Sequence, residues 1–157
     1  MKRCRVIAAI CVLFLGGCAH LWRLPPLEER SRPQITVRGD RIVSPEILFY
    51  LPDERDVQIV WQLPRDSKFR FPIRVSNPRE QGIVIEGRVV DRILRGADGV
   101  NSVALEKQDE IVNCEVRNEG FEFKCLNRHS RPGIYKYTIR LTDGRNVLVL
   151  DPVVANW

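Results

Sequence analysis

The chain has 157 residues, 44% of them hydrophobic, with 25 basic and 20 acidic side chains and a formal net charge of +5. An excess of positive charge ordinarily points to nucleic acid, but three of the excess charges, Lys2, Arg3 and Arg5, sit at the extreme N-terminus. They precede the apolar run Val6–Leu15 and the small residues Gly16 and Gly17. Charge, apolar core and small residues in that order predict a secretory signal peptide over residues 1–17, which is cleaved. The apolar stretch from Val6 to Gly17 is 12 residues, well short of the roughly 20 that cross a bilayer as a helix. Once it is removed, 22 basic residues face 20 acidic ones, and the charge no longer argues for nucleic acid as a partner.

Leu15-Gly16-Gly17-Cys18, at the end of the apolar run, resembles the lipobox of bacterial lipoproteins. The resemblance implies that the Cys18 thiol carries diacylglycerol and that its new amino group is acylated, palmitate being the expected label. Several acyl chains on one residue hold firmly where a single chain binds marginally. In that family Ala19, in place of an aspartate, implies the outer membrane, with the body facing the periplasm. A standard signal peptide cut near Ala19 is the alternative. Residues 18–33 carry Pro25, Pro26 and Pro33 and are expected to form a lipidated, extended tether. Fifteen such residues at about 3.1 Å each reach about 45 Å, unless Trp22 and Leu24 rest in the membrane interface.

Residues 34–157 form the folded domain, and their texture is β. No repeat or low-complexity block interrupts them. Val57, Ile59, Trp61 and Leu63 alternate with polar partners on one predicted strand, and Pro64 and Asp66 end it. Phe69, Phe71, Ile73 and Val75 alternate as well, but Pro72 restricts this stretch to an edge or an irregular crossing. Residues 82–94 begin as a strand, and their second half, Val89 to Leu94, reads equally as a short helical turn. Tyr135, Tyr137, Ile139 and Leu141 line one face of a further strand. Asp143-Gly144 signals a tight hairpin after it, leading into Asn146–Leu150, apolar on both faces and expected to be a central buried strand. Short strands separated by turn residues predict an all-β fold, a sandwich or a barrel.

Cys4 and Cys11 leave with the signal and Cys18 is consumed by lipid, so Cys114 and Cys125 remain, an even number in an oxidising compartment. If Glu119-Gly120 turns the chain between Ile111–Arg117 and Phe121–Cys125, then Val116 faces Phe123 and Cys114 faces Cys125. A three-residue loop would instead set Phe123 against Glu115, moving every side chain to the other face. Apolar matching selects the first register. Opposed antiparallel Cα atoms lie about 4.5 to 5.5 Å apart, within disulfide reach. A Cys114–Cys125 bridge is expected, contributing at most about 2 to 3 kcal/mol because its loop is short.

Cys125, His129 and then Pro132-Gly133-x-Tyr135-x-Tyr137-x-Ile139 resemble the C-terminal ligand loop of cupredoxins, the plastocyanin-like copper proteins. The resemblance implies a single antiparallel β-sandwich, cupredoxin-like or an immunoglobulin-like Greek key. The ligand set departs from that family. Blue copper takes two histidines, a thiolate and a weak axial group, often methionine. Here His20 lies in the tether, Met1 leaves with the signal, Ile134 stands where an axial ligand would be sought, and Cys125 is committed to the bridge. Zinc fares no better, because Cys-x10-Cys-x3-His is not a recognised spacing. Neither a metal nor another cofactor is expected.

His129 is the single histidine available to a catalytic triad in the domain, and Ser130 is merely its neighbour. No Walker loop, His-Glu-x-x-His, Gly-x-Ser-x-Gly or Gly-x-Gly-x-x-Gly occurs. No catalytic residue is assigned. Lys68, Arg70 and Arg74 share one side of an extended chain, which reads either as a solvated face or as a patch for anionic envelope material. Arg128, His129 and Arg131 extend that patch if the two loops meet at one pole. The expected function is that of a non-catalytic protein-interaction or envelope-structural module whose partner is an envelope protein or anionic polymer. The alternatives are a metal-handling or electron-transfer cupredoxin relative and a cell-wall hydrolase.

Overall fold

The computed structural model describes residues 24–73, 75–95 and 101–157. The expected signal peptide, residues 1–17, together with Cys18, His20 and Arg74, lies outside the described residues. One turn of helix, α1 (Leu27–Arg30), leads into a hairpin of β1 (Thr36–Arg38) and β2 (Arg41–Val43), then β3 (Ile47–Tyr50) and β4 (Val57–Gln62). The long β5 (Ile83–Arg95) and β6 (Asn101–Glu106) follow, then β7 (Ile111–Arg117) and β8 (Glu122–Asn127). β9 (Gly133–Thr142), β10 (Val147–Leu150) and β11 (Val153–Asn156) complete the chain.

These strands make a sandwich-like all-β fold, as the alternation predicts. A six-stranded sheet runs β3-β11-β9-β5-β6 with β10 also paired to β9, and it lies against a three-stranded sheet of order β4-β8-β7. Every pairing is antiparallel except β3 with β11, which is parallel. The core is the interleaving of the two inner faces. Ile59, Trp61, Phe123 and Cys125 come from the smaller sheet, and Ile83, Tyr135, Tyr137, Ile139 and Leu141 from the larger. Trp61 joins them: its ring lies 5.4 Å from Tyr137 and 6.4 Å from Phe123, and its Nε1 donates to the Tyr137 hydroxyl at 3.3 Å. The period-2 pattern of β4 and β9 therefore placed the right residues inside.

The Cys114–Cys125 pair is bridged, with Cα atoms 4.1 Å apart. The register is the one apolar matching selects, Val116 opposite Phe123 and Glu115 opposite Lys124. The turn is longer than expected. Arg117 pairs with Glu122, so Asn118–Phe121 form the loop, and Asn118, Glu119 and Gly120 all take positive φ. Beyond Glu115 the register shifts at a bulge that includes Asn113, φ 54°.

Four other expectations resolve differently. Residues 83–95 are strand throughout, with no helical turn. The hairpin after β9 closes with Thr142 opposite Val147, because the Asp143 carboxylate accepts the amides of Arg145 and Asn146 at 2.9 and 2.8 Å and stabilises a wider turn. β10 is not central: it pairs with β9 alone, and Val147 and Val149 are 61% and 55% exposed, since among the described residues no second layer covers them on the outer face of the large sheet. The segment expected to be an extended tether is in part docked. Ser31 and Pro33 give their carbonyls to the amides of Val60 and Gln62 at 2.8 and 3.0 Å, along the free edge of β4. Such cover removes the open edge that would otherwise invite pairing with another chain.

Candidate functional site

The residues singled out from sequence fall at two opposite ends of the sandwich. β8 separates them: Phe121 precedes it and Arg128 follows it, and six strand residues span about 20 Å. Lys68 and Arg70 stand at the Phe121 end, whereas Arg128, His129 and Arg131 stand at the Asn127 end. The two loops do not meet at one pole, so Lys68 and Arg70 are not joined by Arg128, His129 and Arg131; Arg74, the sixth residue of the expected patch, lies outside the described residues. The reason is topological, because the crossing segment 64–71 returns to the β7–β8 turn through Phe71 N to Gly120 O, 2.8 Å.

At the Asn127 end, charge is consumed internally. Gln108 Oε1 accepts the amides of Glu110 and Ile111, both at 2.8 Å, and this turns the Glu110 carboxylate into the β8–β9 loop. There Glu110, 2% exposed, accepts from the Ser130 amide at 2.6 Å, the Ser130 hydroxyl at 2.7 Å and Arg131 Nε at 3.2 Å. Arg131 also pairs with Asp109, and Arg128 Nη1 donates to the Asp109 carbonyl at 3.3 Å. Burial pushes the Glu110 carboxyl up, but hydrogen bonds from Ser130 and Arg131 outweigh it and hold the group below the usual carboxyl value of 4.5. Glu54 is lowered likewise, chiefly by its hydrogen bond from Arg30. Both groups titrate lower folded than unfolded, so the stability they contribute is complete above the unfolded value and is lost as pH falls through the folded ones. Chemical denaturation between pH 7 and 3 is expected to show this loss beginning near pH 4.5. Glu110→Gln should shrink that acid limb; an unchanged limb would refute the assignment.

His129 is 4% exposed and adopts φ 50°. Its Nδ1 faces the Glu54 carbonyl at 3.0 Å and its Nε2 the Trp157 main-chain oxygen at 2.9 Å. With Cys125 in the bridge and both ring nitrogens of His129 directed at carbonyls, this loop holds segments together and presents neither thiolate nor imidazole to a ligand. The reciprocal amide pair of Asn127 and Asn156, 2.9 and 3.0 Å, ties β8 to β11 beside it. Among the described residues no group of three or more His, Cys, Asp or Glu side chains has metal-holding geometry.

A carboxylate pair does occur on the outer face of the large sheet. The Thr138 hydroxyl lies between Glu86 and Asp151, 2.8 Å from the latter, and Lys136 Nζ reaches the same carboxylates at 3.3 and 3.8 Å. Lys136 neutralises much of this charge, which makes the group a cross-strand tie.

The Phe121 end is chemically different. Arg70 stacks on the Phe121 ring with its guanidinium carbon 3.5 Å from the centroid, and Arg65 reaches the same ring at 5.1 Å. Arg70 Nη1 also donates to the carbonyls of Ser67 and Phe69, which fixes the guanidinium. Lys68 lies 5.1 Å from the Phe69 ring. Among the described residues, no carboxylate forms a salt bridge with any of these three cations. A shallow cavity of about 410 Å³ opens beside them, walled by Thr36, Val37, Gly39 and Pro64 with Asp66, Ser67, Lys68 and Phe69, so a carboxylate shares it with the lysine. Arg65 and Phe121 had no signal in the sequence, because they meet through the contact of two loops distant along the chain.

These features define a small disulfide-bridged β-sandwich-like protein with a basic, aromatic-backed end. No family of known proteins matches the chain, and no curated protein matches it.

Proposed function

We propose that the chain is an envelope lipoprotein, anchored at the outer membrane through Cys18 and facing the periplasm, whose sandwich is a non-catalytic interaction module. The observation that carries this reading is the Cys114–Cys125 bridge. It fits an oxidising compartment and withdraws the one thiol placed for cupredoxin-like or nucleophilic chemistry. The Leu15-Gly16-Gly17-Cys18 sequence supports the anchor, and the engagement of His129 by two carbonyls supports a structural role for the loop. Recognition then falls to a surface, for which exposed cations are better suited than the shallow concavities of this fold.

The anchor is tested by palmitate labelling and fractionation. The wild-type chain is expected to incorporate label and to float with outer membranes. Cys18→Ser should lose the label and accumulate as uncut precursor. Continued labelling of Cys18→Ser would overturn the reading.

A further inference from the structure

We infer that the cavity between Arg79 and Arg140, on the outer face of the large sheet, binds a small, singly charged oxyanion, either a carboxylate or a phosphodiester. The cavity holds about 420 Å³ and is walled by Arg79, Val84, Ile85, Glu86 and Arg140. Small-molecule sites fall in the range of roughly 300 to 1,000 Å³. The atom that points to a ligand is Arg140 Nη1. It is buried, and among the described residues it has no hydrogen-bond partner. A buried donor without an acceptor is costly, more so on a charged group, and folded proteins leave few of them.

Local structure brings the two guanidiniums to one cavity. Arg140 stands between the buried Ile139 and Leu141 on β9, and alternation sets it on the outer face. Its main chain is fixed on both sides, by Val149 of β10 opposite it and by its amide, which donates to Gly82 O at 2.7 Å. Arg79 comes from the turn before β5. There Asn77 Oδ1 accepts the Arg79 amide at 3.0 Å, and the Glu80 amide donates to Asn77 O at 2.9 Å. This short capped turn holds Arg79 beside the start of the strand. Arg79 is exposed, so its guanidinium is available to an incoming ligand.

The carboxylates nearby are engaged elsewhere. Among the described residues neither Arg79 nor Arg140 forms a salt bridge. Glu86 shares the cavity wall, but the Thr138 hydroxyl lies between its Oε1 and Asp151, and Lys136 Nζ is 3.3 Å from its Oε2. Glu80 is held within its own turn, where Asn77 Nδ2 donates to it at 3.3 Å. A guanidinium fork matches two oxygens of one oxyanion with parallel hydrogen bonds, which a halide cannot accept in that geometry. With the Glu86 charge in the wall, a singly charged ligand is favoured over a doubly charged one, which it would repel more strongly. Val84 and Ile85 supply an apolar wall for the substituent that a carboxylate or diester carries. The site is independent of the anchor at Cys18.

Nuclear magnetic resonance of the arginine Nε–H groups, in the full chain in non-ionic detergent, tests the site. Sodium acetate and sodium dimethyl phosphate are titrated separately, each replacing chloride at constant ionic strength. At least one is expected to produce saturable shifts at Arg79 and Arg140, and the one that saturates at lower concentration identifies the source as carboxylate or phosphodiester. Arg79→Ser, an exposed position, should raise the dissociation constant about tenfold through loss of a charge-assisted hydrogen bond. Arg140→Lys, which keeps the charge but loses the fork, should raise it too. Arg128→Ser, in the β8–β9 loop, should leave it unchanged. Absence of saturable shifts with both anions, the same shifts on adding sodium chloride alone, an unchanged constant in both Arg79→Ser and Arg140→Lys, or equal weakening in Arg128→Ser would each overturn the assignment.

Discussion

Trp61→Ala is expected to destabilise the domain by about 3 to 5 kcal/mol, the range for deleting a large aromatic from a core. Trp61 is fully buried on β4 and contacts both sheets, through Phe123 on its own sheet and Tyr137 on the opposite one. Its removal opens a void where the sheets meet and leaves the Tyr137 hydroxyl without its 3.3 Å donor. A neighbour cannot easily fill the space, because Phe71 already packs against Phe123 at 5.5 Å from the other side. Urea unfolding monitored by far-ultraviolet circular dichroism measures the loss. Trp61→Phe, which keeps most of the volume but not the donor, should lose less. A loss below about 1 kcal/mol in the alanine variant would mean that the two sheets are not held by this contact.

Removing the bridge in Cys114→Ala/Cys125→Ala is expected to cost about 2 to 3 kcal/mol, because its closed loop of sequence separation 11 limits how much the unfolded chain is constrained. Part of the loss arises in the folded state, since Cys125 is fully buried and packed in the core, while Cys114 is only partly covered. The same bridge predicts that the native chain has no thiol in its folded domain that reacts with a disulfide reagent. Labelling of Cys114 or Cys125 without prior reduction would refute it. Because the Val116–Phe123 pairing holds the strands in register independently, the double variant should keep its sheet structure while unfolding at lower denaturant.

Much of the interior was legible because a strand buried on one face repeats its apolar residues every second position. Ile59 and Trp61 on β4, and Tyr135, Tyr137, Ile139 and Leu141 on β9, follow that rule and are all fully buried. The disulfide was legible for the same reason, since a short connection leaves few registers and apolar matching chose between two. The rule fails where burial depends on a distant layer. Val147 and Val149 have the composition of a central strand, yet among the described residues no other element covers them. It fails again before β1, where proline suggested an extended tether. Arg30 finds Glu54 and Phe49 O across the fold, and the following residues lie along β4.

The candidate site divides along the same line. Local alternation identified Lys68 and Arg70 as cations on one side of a chain whose phenylalanines turn inward, and Phe69 and Phe71 are indeed buried. Which cations stand together was a different matter. Arg128 and Arg131, basic in the sequence, meet Asp109 and Glu110, while Arg65 and Arg70 share the ring of Phe121. The amino-acid sequence by itself determined the strand faces, the Cys114–Cys125 pairing and the all-β class, because each depends on contacts between residues close along the chain. The tertiary structure alone decided which charges are neutralised and which remain at the surface, because an ion pair is set by distance in space, and chain separation does not encode that distance.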